Sequence, residues 1–183
     1  MHRLFIAYRP PIAIRDQLLG LMGDVAGARW QRDDQLHLTL RYIGSVDSHV
    51  AEDVAQMVQR FTFAAFTVRL AGVGTFDAKD QGQPLWAGLV PEAPLVALHK
   101  KLDQALIRLG SPPEHRRYTP HITLARFGKV KSDPSQWLAS RSSLNSPDFA
   151  LDHIALFESH LGRDGGVHYE EIVRARAEGE VHP

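Results

Sequence analysis

The chain has 183 residues, of which 44% are hydrophobic and 23% charged, a composition typical of a folded globular protein and not of a disordered chain. It contains no cysteine, which excludes disulfides, thiolate metal sites and a cysteine nucleophile. Its 21 basic residues balance 21 acidic ones, which argues against a surface that grips long duplexes but permits a few arginines to hold a nucleotide or an RNA end.

Hydrophobic periodicity divides the chain into alternating strands and helices. In chain order, the first half gives a strand over 3–9, a helix that starts at Pro10-Pro11 and ends at Gly23, a strand over 36–44, a helix capped by Asp47 or Ser48, and a strand over 66–76. The second half gives a strand over 85–90, a helix over 93–109, a strand over 120–128, a helix over 134–142, and strands over 149–160 and 168–177 joined by a turn over 162–166.

Each half therefore reads strand, helix, strand, helix, strand, and the second half carries one extra strand. The pseudo-repeats span about 1–80 and 84–177. We expect an α+β fold in which residues 1–183 form a single bilobal domain. Each of its two pseudo-symmetric lobes would be a mostly antiparallel sheet with helices on the outer face, and an active-site cleft would lie between the sheets.

The two halves also share letters at one place, HLTL at 37–40 and HITL at 121–124, and the separation 121 − 37 = 84 equals the offset of the repeats. Alternate residues of a strand point to the same face. His37 therefore shares a face with Thr39, and His121 shares one with Thr123. A pseudo-twofold axis between the lobes could bring both histidines to one cleft.

Two histidines near one phosphorus atom can act as an acid and a base, because an unperturbed imidazole titrates at about pH 6.5. One takes a proton from water while the other protonates the departing oxygen. Threonine hydroxyls and a nearby arginine can hold the phosphate oxygens as negative charge grows. A strained cyclic phosphate needs no further activation, so we expect neither a metal nor a cofactor.

The stretches HLTLRYIG at 37–44 and RYTPHITLAR at 117–126 resemble the paired signatures of the two-histidine phosphoesterase superfamily. Within it, the similarity is to the RNA 2′,3′-cyclic phosphodiesterases, also called LigT-like or 2′-5′ RNA ligase proteins. The resemblance covers nearly the whole chain and implies hydrolysis of an RNA-terminal 2′,3′-cyclic phosphate to a 2′-phosphate. It also implies that His37 is the proton donor and His121 the proton acceptor, whereas the residues alone leave either assignment open.

Three arginines near the motifs are candidate phosphate ligands. Strand alternation puts Arg41 on the face of His37 and Arg117 on the face of His121. The resemblance favours Arg126, but strand alternation puts that residue on the face opposite His121. It therefore reaches the cleft only if its strand bulges or ends before it. Arg126 could instead lie on the outer face or pair with an acidic residue, and Arg41 could be a solvated charge at a strand end.

Two aromatic residues are candidates for stacking on a base. Trp30 lies seven residues before His37, where the family often has tryptophan, although packing between lobes is the plainer role. Strand alternation puts Tyr42 on the same face as Leu38 and Leu40, which favours a place in the core.

Other functions remain open at this stage. The same site could ligate or cleave 2′-5′ linked RNA, the fold could serve as a non-catalytic module that binds RNA ends or nucleotides, and a metal-dependent hydrolase is a weaker alternative. We expect the partners to be RNA termini that carry a 2′,3′-cyclic phosphate, with no membrane and no protein partner, and a monomer. The lack of cysteine and of any signal-like segment leads us to expect a cytoplasmic protein.

Overall fold

The computed structural model describes residues 1–76, 84–128, 133–162 and 166–179. Within these ranges, the helices are α1 (Ile12–Leu19), α2 (Ser48–Gln59), α3 (Glu92–Arg108) and α4 (Ser135–Arg141). The strands are β1 (His2–Tyr8), β2 (Ala28–Trp30), β3 (Leu38–Val46), β4 (Phe66–Thr75), β5 (Leu85–Val90), β6 (His121–Phe127), β7 (Phe149–Leu151), β8 (His153–Leu161) and β9 (Val167–Arg176).

The elements predicted from periodicity are confirmed, with shifts of a few residues at their ends. Two features differ. The strand expected over 149–160 is divided into β7 and β8, and the three-residue strand β2 is too short to leave a periodic signal. Most of the turn predicted over 162–166 lies outside the described residues, although β8 and β9 pair antiparallel up to Leu161 and Val167 as a hairpin requires.

The described strands follow the order β7-β4-β5-β6-β3-β1-β8-β9, and β2 lies against β6. Every neighbouring pair of strands is antiparallel. The order is symmetric about its centre, since β4 pairs with β5 and β8 pairs with β1. The repeats at about 1–80 and 84–177 therefore exchange their third strands, and neither half of the sheet is built from one repeat alone.

The predicted α+β class, with antiparallel sheet halves and helices on the outer face, is confirmed. Helix α2 packs on β8 and β9, and α3 packs on β3. Alternation in β3 buries Leu38 and Leu40 completely beneath α3, together with Leu102 and Leu106 of that helix. Each fully buried leucine contributes about 1.5–3 kcal/mol to the burial of apolar surface. None of the helices in the described ranges is long and apolar enough to cross a membrane.

Candidate active site

The two His-x-Thr strands meet at the centre of the sheet. β3 and β6 are registered at a single point, where Leu38 lies opposite Ile122, and both of these side chains are fully buried on the core face. The residues on either side of such a point belong to the opposite face of the sheet. Because the two strands separate beyond it, the halves of the sheet leave a cleft on that face.

The antiparallel register relates the catalytic candidates across this joint. Continued by one residue on either side, it sets His37 beside Thr123 and His121 beside Thr39. The effect of His121 on the pKa of His37 agrees with two imidazoles that lie close together at this joint. All four of these side chains are half-buried. The tertiary structure thus brings together the four residues that the sequence singled out as catalytic.

Both imidazoles are oriented by the same backbone contact. His37 Nδ1 lies 2.7 Å from the carbonyl oxygen of Gln35, and His121 Nδ1 lies 2.7 Å from that of Thr119. A carbonyl oxygen only accepts, so each Nδ1 must carry a proton and donate it. In the neutral ring, Nε2 then holds the free lone pair, and it is the atom that can exchange a proton with a ligand.

The electrostatic environment disfavours the charged form of both rings. Burial lowers the pKa of His37 from 6.5 to about 4, against the hydrogen bond to Gln35, and the positive charge of Arg126 and the proximity of His121 lower it further. Burial also lowers the pKa of His121, again with a contribution from Arg126. Both histidines are therefore neutral at pH 7 in the free protein, and Arg126 lies close enough to act on both.

Aromatic rings surround His37 on the cleft face. The ring centroids of Phe5, Tyr169 and Phe157 lie 4.9, 5.1 and 6.4 Å from that of His37. These side chains form a small apolar cluster with Ala7, separate from the main core, on the face of β1 opposite the core. The cluster removes water from one side of the imidazole, which accounts for its low pKa. Sequence reasoning missed these residues, although Phe5 and Ala7 alternate with the core residues of β1.

Two further aromatic residues flank the other histidine. The rings of Phe76 and Trp86 lie 4.8 and 6.2 Å from that of His121. Trp86 is paired with Thr123 across β5 and β6, which puts it on the cleft face. This role could not be predicted from the sequence, because it depends on which strand lies beside β6.

A bulge in each motif strand changes which side chains reach the cleft. In β3, Thr39 pairs with Ala7 and Arg41 with Ile6, so Leu40 is the extra residue. One extra residue reverses the alternation beyond it. Arg41 therefore faces the core on the side of Ile6, and the sequence-based prediction that it shares the face of His37 is wrong.

The environment of Arg41 agrees with this correction. The residue is 7% exposed, and its guanidinium donates to Asp103 Oδ1 at 2.8 Å, to the carbonyl oxygen of Pro112 at 2.8 Å and to that of Tyr42. These contacts tie β3 to α3 and to the segment that follows α3. The guanidinium is therefore engaged by the protein itself, although Arg41 also lines the cleft that contains Thr39 and His121.

The same bulge turns the side chain of Tyr42 from the core face to the cleft face. Tyr42 pairs with Phe5 of the cleft face and is 46% exposed, so its expected place in the core is wrong. It lines a cleft of about 360 Å³ together with Thr39, Phe76, Arg117 and His121. Arg117, exposed in the segment before β6, lies at this cleft as the sequence suggested.

The equivalent bulge in β6 brings Arg126 to the cleft. Trp86 pairs with Thr123 and Leu85 with Ala125, so Leu124 is the extra residue. The bulge on which the cleft position of Arg126 depended is therefore present, and the side chain shares the face of Thr123. Its effect on both imidazoles agrees with this position.

A pair of stacked rings holds the bulge of β3. His99 Nδ1 lies 2.6 Å from the carbonyl oxygen of Leu40, and Tyr118 donates its hydroxyl to the carbonyl oxygen of Thr39 at 3.0 Å. The two rings stack at 4.3 Å with an angle of 1°. His99 is only 7% exposed, so its contact with Leu40 lies in the interior of the protein. It positions the strand that carries Thr39.

Trp30 does not line the cleft. It pairs with the buried residue Ala125, packs against the main core, and its ring lies 5.7 Å from that of Trp137. This is the packing role, and the structure offers no support for stacking of a base on Trp30.

The comparisons with known proteins agree with this architecture. The profile of the 2′-5′ RNA ligase superfamily matches residues 15–163. This stretch contains both His-x-Thr strands, and the chain belongs to that superfamily.

Particular relatives extend the match over most of the chain. An RNA 2′,3′-cyclic phosphodiesterase of Thermotoga maritima is 30% identical over 159 residues, covering 84% of this chain and 81% of the relative. One of Aeropyrum pernix is 29% identical over 155 residues, covering 81% and 87%. The crystal structure of E. coli LigT complexed with 3′-AMP has a TM-score of 0.77 at 24% identity, covers 97% of this chain and 99% of its own, and is evidence for the fold.

Proposed function

We propose that this protein hydrolyses the 2′,3′-cyclic phosphate at the end of an RNA to a 2′-phosphate by metal-independent catalysis with two histidines. The observation that carries the proposal is the pair of imidazoles at the centre of the sheet, each with Nε2 as its free nitrogen and both within the field of Arg126. The names of the relatives from Thermotoga maritima and Aeropyrum pernix support the substrate.

The reaction moves two protons. A water molecule attacks phosphorus while His121 Nε2 takes its proton, and the bond from phosphorus to the 3′ oxygen breaks as His37 Nε2 donates a proton to that oxygen. The product carries a 2′-phosphate and a 3′-hydroxyl. Thr39 and Thr123 hydrogen-bond the phosphate oxygens, and Arg126 neutralises the charge that grows on them.

His37 must be protonated before it can donate, and the negative charge of the substrate favours this protonation. An anionic phosphate at about 4 Å from an imidazolium, at an effective dielectric constant of about 20, favours the charged ring by about 4 kcal/mol. That energy corresponds to about a thousandfold gain in proton affinity. It offsets the burial that keeps His37 neutral in the free protein. Binding of the phosphate therefore recruits the catalytic proton.

The activity is tested with a short RNA ending in a 2′,3′-cyclic phosphate, with separation of the 2′- and 3′-phosphate products. We expect turnover by the wild type in strong chelator and its loss in His37→Ala and His121→Ala. His49→Ala is the matched control, since the side chain of His49 is 85% exposed on α2. Equal turnover by all four proteins, or none by the wild type, contradicts the proposal. Turnover that chelator abolishes would indicate a metal-dependent hydrolase, and binding without turnover a non-catalytic module.

The assignment of acid and base needs a separate substrate, because the two motifs are nearly equivalent. In a cyclic substrate with sulfur in place of the 3′ oxygen, the leaving thiolate needs no proton. We expect this substrate to restore turnover to His37→Ala and not to His121→Ala. The reverse pattern would exchange the two roles while leaving the two-histidine reaction intact.

Ligation is the second candidate, favoured by the match to the 2′-5′ RNA ligase superfamily. It is the same displacement at phosphorus, in which the 5′-hydroxyl of a second RNA attacks in place of water, the 3′ oxygen leaves, and the same acid and base move the protons. The same assay with an added 5′-hydroxyl RNA distinguishes the two outcomes, because a 2′-5′ joined product would appear beside the hydrolysed end. Cleavage of an RNA with one 2′-5′ linkage would reveal phosphodiesterase activity on that bond.

A further inference from the structure

Two arginines lie side by side at the edge of the cleft, and no acid in the described part of the chain forms an ion pair with either. Arg29 of β2 is directly opposite Arg126 of β6, and both are exposed. Residues directly opposite in an antiparallel pair share a face, and their Cβ atoms lie about 4.5–5.5 Å apart. Arg29 therefore extends the cleft face on which Arg126 already lies.

This pair is unfavourable in the free protein. Like charges directly opposite each other destabilise a sheet. Among the residues that the structure describes, neither Arg29 nor Arg126 has a hydrogen bond or an ion pair. By contrast, Arg32 donates to Asp34 at 3.0 Å, only three residues beyond Arg29. A pair of unsatisfied guanidinium groups is an arrangement that an anion would stabilise.

The position of Arg29 is built into the fold. β2 is only three residues long, but it is held on its core face and at its end. Trp30 packs into the core beside Trp137, and the backbone N–H of Gln31 donates to the carbonyl oxygen of Leu124 at 2.8 Å. Leu124 is the bulged residue of β6, so the contact that fixes β2 also fixes the turn of Arg126 toward the cleft.

Arg29 and Arg126 lie at different distances from the reacting centre. The charge of Arg126 affects both His37 and His121, whereas that of Arg29 contributes to neither. Arg29 is therefore further out along the same face. An anion held between the two would be close to the reacting phosphate without being that phosphate.

We propose that Arg29 forms a subsite for the phosphate next to the reacting one, which is the 5′-phosphate of the terminal nucleotide, and that Arg126 lies between the two phosphates and donates to both. In an RNA, this group links the terminal nucleotide to the rest of the chain and is the nearest other anion of the substrate. Arg29 then determines the preference for an RNA end over a free cyclic nucleotide. The inference rests on the proposed cyclic phosphodiesterase function.

The test compares two substrates that differ in one group, adenosine 2′,3′-cyclic phosphate with a 5′-hydroxyl and the same nucleotide with a 5′-phosphate. We expect the wild type to have a KM about tenfold lower for the 5′-phosphorylated substrate, the effect of one charge-assisted hydrogen-bond pair. Arg29→Gln should remove this difference while leaving kcat and the KM of the 5′-hydroxyl substrate unchanged. Arg29→Lys should keep part of it, because the charge remains.

The control is Arg108→Gln, which removes an exposed arginine at the end of α3. It should leave the ratio of the two KM values as in the wild type. Melting temperatures check that the variants fold, and Arg29→Gln should melt no lower than the wild type because it removes a like-charge pair.

The outcomes separate the two proposals. Turnover of neither substrate by the wild type would contradict the proposed function itself. Turnover of both with equal KM values in the wild type would overturn the subsite. A preference for the 5′-phosphate that survives intact in Arg29→Gln would also overturn it, while the two-histidine reaction would stand.

Discussion

The depressed pKa of His37 predicts a dependence of protein stability on pH that can be measured without any substrate. The pKa of the folded state is about 4, against 6.5 for an ordinary histidine in the unfolded chain. Between these values, the unfolded chain binds a proton that the folded protein does not. The contribution of the neutral His37 to the free energy of unfolding is therefore fully present above pH 6.5 and is lost as the pH falls toward 4.

The magnitude follows from the difference between the two pKa values. At about 1.4 kcal/mol for each tenfold change in proton affinity, the difference between 6.5 and about 4 gives a loss of about 3 kcal/mol at pH 4. That is a sizeable part of the 5–15 kcal/mol by which domains are typically stable. The glutamine of His37→Gln cannot titrate, so the variant does not have this pH-dependent loss of stability.

The assay is urea unfolding of the wild type and His37→Gln at pH 7 and pH 4, followed by tryptophan fluorescence. The free energy of unfolding of the wild type relative to the variant should fall by about 3 kcal/mol between the two pH values. His49→Gln, which removes an exposed histidine, is the control and should run parallel to the wild type. A constant difference between wild type and His37→Gln would refute the reasoning that burial keeps the ring neutral.

Three further substitutions test the surroundings of the site. Tyr118→Phe removes the hydroxyl that holds the β3 bulge, so kcat should fall about fivefold while KM stays unchanged; an unaltered kcat would remove Tyr118 from the positioning of the strand. Arg41→Met removes the ion-pair partner of Asp103, which keeps only a hydrogen bond from the backbone N–H of Glu114, and should lower the free energy of unfolding by about 3 kcal/mol in urea with no change in KM. A raised KM would indicate that Arg41 also contacts the substrate. In Gly74→Ala, the new Cβ would overlap the ring of Trp86, so stability should fall by about 1–3 kcal/mol. The double variant with Trp86→Leu should recover most of that loss, and no recovery would contradict the clash.

Strand alternation was a reliable guide only up to the bulges. It correctly put His37 on the face opposite Leu38, because those residues precede the extra residue of the strand. Beyond it, the same rule gave the wrong face for Arg41 and Tyr42. A bulge depends on how the neighbouring strand pairs, so the local sequence carries no direct sign of it.

The position of Arg126 also depends on a bulge that strand alternation does not predict. Its parity alone pointed away from the cleft, and the resemblance to the family pointed toward it. The register between β5 and β6 decides the matter, since Leu124 is the residue left out of the pairing. Arg29 had no signal in the sequence at all, because its importance comes from lying opposite Arg126 across a strand of three residues.

Most of the strands and helices, the α+β class and the pair of His-x-Thr strands could be predicted from the order of the residues alone. Periodicity is a property of neighbouring residues, and the repeated motif at an offset of 84 is visible when the two halves of the sequence are compared. Three features became known from the strand pairing: the exchange of the third strands between the repeats, the pairing of Leu38 with Ile122 at the centre of the sheet, and the charges that enter the cleft. These features arise from pairing between residues far apart in the chain, where a shift of one residue turns every following side chain to the other face.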